Sequence, residues 1–133
     1  MNFDARFQNI IDKQEKLKAE LDNVVNAYNE ARNFTQSFLD CCAEHEISVV
    51  AINVRTKKIA RSVSFPFGAC GNVFANGENE HGFPKIWDVV SELNISGGCG
   101  NGAQHQIDHA ASARLIDGVY ELQDGVWHRL EEE

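Results

Sequence analysis

Between Ser96 and His109 the sequence reads Ser-Gly-Gly-Cys-Gly-Asn-Gly-Ala-Gln-His-Gln-Ile-Asp-His: four glycines in six residues, then two histidines and an aspartate at helical spacing. Three chemistries fit those residue types. A glycine-rich entry to a helix lets backbone N–H groups close on an anion. His105 and His109, four apart, share one helix face with Asp108 and Ser112 and can hold a zinc ion, with Cys99 or Cys70 completing N/S coordination. Cys99, just ahead of the expected helix, also sits where a thiol loses its proton more readily, and His105 or His109 would be its base.

Each catalytic template lacks a part. No Gly-Lys-Ser/Thr follows the glycines, as a Walker loop requires, and no strand–loop–helix unit carries a ribose-binding acid. The string His105-Gln106-Ile107-Asp108-His109 is similar to zinc-peptidase motifs. In it, however, Gln106 replaces the general-base glutamate, and in the inverted form Asp108 is one methylene short. His105 also stands where a cysteine phosphatase places its phosphate-clamping arginine. Binding is therefore the expectation rather than turnover, and no catalytic residue is assigned.

The charge that such a loop lacks lies elsewhere. Arg55, Lys57, Lys58 and Arg61 put four of the twelve basic residues into seven positions, and no Asp or Glu occurs from Ile47 to Gly77. A chain of net charge −8 thus contains a local block of +4. Guanidinium forks, ammonium groups and backbone donors are the equipment for phosphate, and the nearby Phe74 and Trp87 offer stacking faces. The expected site is Arg55, Lys58 and Arg61 with Gly97, Gly98, Gly100 and Asn101, Phe74 or Trp87 under a base, and His105 on phosphate or sugar. Its ligand is anionic and nucleotide-like. The alternative is a zinc-binding protein or zinc-dependent hydrolase on the His105/Asp108/His109 face, with Cys99 as a further ligand. Without it, no cofactor is expected.

The elements that must position these residues divide sharply. No glycine or proline precedes Pro66, and all ten glycines fall at 68 or later. Phe7, Ile10, Leu17, Leu21, Val24, Tyr28, Ala31 and Phe38 recur on alternating three- and four-residue steps, interrupted by Gln14 and Thr35, a heptad-like seam. Either a partner chain covers it, or the helix folds back near Asn23, Asn26, Asn29 and Asn33, which are weak helix formers. The β-branched run 47–54 and the alternating run 58–65 read as a β-hairpin, with a short strand following at 72–75. Pro84 opens a short helix that buries Phe83, Ile86, Trp87, Val90 and Leu93. Asp124-Gly125 turns a second hairpin between 119–122 and 126–130.

The fold class is therefore α+β: a long N-terminal helix or helical hairpin, an antiparallel sheet of two hairpins, two short helices and glycine-rich loops. Residues 1–45 form the helical, oligomerising segment and 46–133 the ligand-binding core of one compact domain. The acidic balance disfavours nucleic acid, and no apolar run reaches membrane-spanning length. The opening residues lack the basic and apolar regions of a signal peptide, so a cytoplasmic location with reduced cysteines is expected. In layout the chain resembles the compact oligomeric proteins with which phages sequester nucleotide immune signals. That resemblance implies a non-enzymatic, anti-defence binder. A third reading is an interaction or inhibitor protein acting through its N-terminal helices.

Overall fold

With no glycine or proline in the first 65 residues, nothing interrupts a helix early. The computed structural model describes residues 3–54, 68–97 and 105–130. In it α1 (Phe3–Glu44) runs unbroken for 42 residues, about 63 Å at about 1.5 Å per residue. The four asparagines do not break it, since each costs at most about 0.7 kcal/mol relative to alanine.

α1 stops at a Schellman motif. Glu46 adopts φ 62° and donates its N–H to the Ala43 carbonyl at 3.0 Å, while Ile47 donates to the Cys42 carbonyl at 2.9 Å. Ile47 and Cys42, which the motif draws together, are both fully buried.

Five strands follow: β1 (Val49–Ile52), β2 (Gly68–Cys70), β3 (Val73–Ala75), β4 (Gly118–Gln123) and β5 (Val126–Leu130). They form one antiparallel sheet in the order β2-β3-β1-β4-β5. The hairpin expected between 47–54 and 58–65 is corrected here. β1 is hydrogen-bonded along both edges, Val50 facing Ala75 of β3 on one side and Tyr120 of β4 on the other. Alternation identifies a strand but not its partner. Residues 55–65 lie outside the described residues. The second hairpin forms as expected, with Asp124 at φ 52° and Gly125 at φ 78° in the two-residue turn.

The last three turns of α1 and the short helix α2 (Lys85–Glu92) cover one face of the sheet. Phe38, Cys42, Val50, Ile52, Val73, Ile86, Val89 and Val90 make the centre of that core. α2 begins after Pro84, which packs so closely on β2 that a Cβ at Gly68 would meet Pro84 Cβ at 2.6 Å. The buried face of α2 is Ile86, Val89 and Val90; Phe83 is 52% exposed rather than buried. Thr35, only 4% exposed, fastens α1 to the far end of the sheet: its Oγ1 donates to the Ala31 carbonyl and accepts from Ile116 N–H at 3.0 Å. No helix among the described residues is long and apolar enough to cross a membrane.

Candidate functional site

The helix behind the glycine-rich stretch starts later than its spacing suggests. α3 is one turn, His109–Ser112, and Asp108 caps it by accepting from Ala110 N–H at 3.1 Å. His105 lies before the cap, so His105, Asp108 and His109 do not share a helix face. A short polar side chain that can satisfy a free N–H favours the cap over the helix interior. The carboxylate expected on the zinc face is used to start the helix.

Antiparallel backbone contacts close the base of the stretch: Gly97 N–H donates to Gln106 O at 2.8 Å and Asp108 N–H to Ile95 O at 2.7 Å. Gly97 is needed there, because a Cβ would stand 3.0 Å from Asp108 Cα. Just above it, His105 stacks on Trp87 with ring centroids 4.5 Å apart and planes 7° from parallel, and Phe83 stacks on Trp87 at 5.6 Å. Trp87 is held by its indole N–H, which donates to the Ala69 carbonyl at 2.7 Å. Asn79 fastens the preceding loop: Oδ1 accepts from His81 and Phe83 N–H, and Nδ2 donates to Asp88.

Trp87, Gly97 and His105 are thus brought together. Phe74 is not among them, since it alternates onto the opposite face of the sheet with Ala51 and Val119. Arg55, Lys58, Arg61, Gly98, Cys99, Gly100 and Asn101 lie outside the described residues.

Two groupings escaped the sequence reading. A cleft of about 180 Å³ opens between α1 and the β4–β5 hairpin, lined by Tyr28, Arg32, Thr35, Gln36, Leu39, Ile116, Tyr120 and Arg129. Neither guanidinium has an ion-pair partner among the described residues. Tyr120, buried, donates its hydroxyl to the Ile116 carbonyl at 2.8 Å, and burial raises its pKa. Arg114 lies close by in sequence and covers the Phe34 ring at 4.2 Å.

The second grouping joins the last turns of α1 and α2. Cys41 Sγ donates to Glu92 Oε2 at 2.7 Å, and His45 Nε2 lies 3.1 Å from the same oxygen. Burial and the adjacent Glu92 carboxylate push the Cys41 thiol up to about 12, so it is protonated at neutral pH. The hydrogen bonds from Cys41 and His45 hold the Glu92 carboxyl below its ordinary value. A protonated thiol bonded to a carboxylate rather than to the histidine is not an activated nucleophile. The signal available in the sequence was Cys41-x3-His45 on one helix face; its third member is distant in the chain.

No family model, curated protein or solved structure matches the chain.

Proposed function

We propose that the chain is a non-enzymatic, oligomeric binder of a small anionic ligand bearing a phosphate group, nucleotide-like in its remaining part. The observation that carries this reading is the Arg32–Arg129 cleft. Two guanidinium groups without carboxylate partners among the described residues flank a concavity whose wall also offers two tyrosines, a threonine and a glutamine. Arginine presents a planar fork of donors that matches phosphate two bonds at a time. At about 180 Å³ the cleft is smaller than the roughly 300 Å³ at which pockets begin to enclose whole drug-sized ligands. It suits the phosphate, with the rest of the ligand lying over exposed Tyr28. The Phe83–Trp87–His105 stack is a second flat surface, and His105 follows the glycine-rich stretch in sequence.

Assembly is supported by the outer part of α1. Every side chain from Ala5 to Glu30 is exposed, including Leu17, Leu21 and Val24 at 62–65%. Ile11 and Val25 widen the heptad stripe beyond a two-helix seam. The occupant that a heptad repeat suits is another copy of itself. A binder without turnover acts by holding its ligand away from other proteins.

The test is a thermal-shift series on the full-length protein with nucleoside mono- and diphosphates, cyclic nucleotides and inorganic phosphate. A ligand at a hundred times its Kd stabilises by about 2.7 kcal/mol, a shift of several degrees. Arg32→Ala and Arg129→Ala should each abolish the shift. Loss of the shift in Arg61→Ala alone would move the site to the basic block, and no shift with any phosphate compound would sink the reading.

A further inference from the structure

We infer that Cys41, His45 and Glu92 form a site for a divalent transition-metal ion of the zinc class, with its fourth coordination position open to solvent. The donor atoms already converge, since one from each residue lies within 4.8 Å of the other two. A tetrahedral ion with bonds of about 2.0–2.3 Å separates its ligand atoms by about 3.3–3.7 Å. The thiol–carboxylate and imidazole–carboxylate pairs, at 2.7 and 3.1 Å, therefore need to open by about 1 Å or less. Glu92 is the member free to supply that movement, because its side chain is 53% exposed. Cys41 is only 6% exposed, and α1 fixes its spacing from His45, which caps that helix.

The electrostatics of the place ask for a cation. Both helices contribute their ligands at or next to the C-terminal end, where the aligned peptide dipoles leave about half a negative charge. Neither helix has a basic residue in its last turn. α2 ends in the same motif as α1, with Asn94 at φ 54° and Ile95 N–H on the Val90 carbonyl, so both ends are rigid. Glu44 adds its field to that of Glu92 at Cys41.

The donor set chooses the metal. Thiolate with imidazole suits zinc and its neighbours, whereas magnesium and calcium take oxygen ligands. On binding, the ion forms a bond to sulfur, the thiol proton passes to water, and no electrons are exchanged. Three protein ligands are the complement of an open site, the fourth position going to water or an anionic ligand atom. The ion would also pin the end of α1 to the end of α2.

Chelator-stripped full-length protein titrated with Co²⁺ tests this directly. The expected result is one Co²⁺ per chain with a thiolate-to-cobalt charge-transfer band, displaced by Zn²⁺. Cys41→Ser should remove the band, Cys99→Ala should leave it, and Glu92→Gln should weaken affinity by at least about tenfold. Should Cys41→Ser fail to fold, the exposed Glu92→Gln and His45→Gln decide. Absence of the thiolate band in the native protein, its survival in Cys41→Ser, or native affinity in both Glu92→Gln and His45→Gln would overturn the site.

Discussion

The two parts of α1 follow one heptad rule and end in opposite surroundings. Leu17 and Leu21 are 65% and 62% exposed, while Phe38, on the same stripe, is at 0%. The difference is what lies opposite. From Phe34 onward α1 packs on the sheet and α2; from Ala5 to Glu30 its side chains are exposed. Periodicity reports that a stripe is apolar, and tertiary structure decides whether the chain itself or another copy buries it. Both proposed sites draw on this half of α1: Arg32, just before the packed part, lines the proposed anion cleft with Arg129, and Cys41 and His45 meet Glu92 at the helix end.

The largest effects should separate the two parts. Phe38→Ala removes a fully buried ring and should destabilise the head, meaning the sheet, α2 and the part of α1 packed on them, by about 3–5 kcal/mol in urea unfolding. Leu21→Ala, on the same stripe, should leave head stability within about 0.5 kcal/mol at low protein concentration and instead lower the mass seen by sedimentation as the protein is diluted. Equal losses from both would mean that the outer helix is buried by its own chain, and the contrast would fail.

Thr35→Val probes the point where the buried part begins. The valine keeps the shape but removes the acceptor for Ile116 N–H, which is left without its partner in a buried setting. A loss of about 1–3 kcal/mol is expected by the same unfolding measurement. A neutral result would show that the threonine fills space and does not tie α1 to the sheet.

How far the sequence reached follows the same division between local and distant signals. The β4–β5 hairpin was legible because Asp124-Gly125 states its turn chemistry in two residues, and α2 because Pro84 fixes its start. The length of α1 was not settled, since four weak helix formers look like a break until the summed cost is set against 42 residues. The partner of β1 was misread because the nearest alternating run is the obvious choice, whereas β3 and β4 arrive from later in the chain. Asp108 looks like part of the zinc face because capping and metal chemistry use the same carboxylate. The Arg32–Arg129 cleft and the Cys41–His45–Glu92 cluster needed the fold itself, as each joins α1 to a distant element.

The smallest expected effect concerns pH, and it separates the two parts by chemistry. Cys42 in the buried part of α1 and Cys70 in β2 are both raised by burial, Cys70 from 9.0 to about 11. A thiol raised on folding stays protonated in the native state while its unfolded counterpart ionises. Stability from these groups is therefore intact below pH 9 and falls as the pH rises above it, the part from Cys70 being lost between pH 9 and 11. The exposed part of α1 carries no cysteine. Raising the pH through that window should lower the urea midpoint of the head, read by the near-ultraviolet signal of Trp87 and Trp127, before it changes the sedimentation mass of the protein. Cys70→Ala should flatten part of that slope. If the mass and the head signal fall together at every pH, the two parts of α1 unfold as one unit and assembly depends on the head as well as on the heptad stripe.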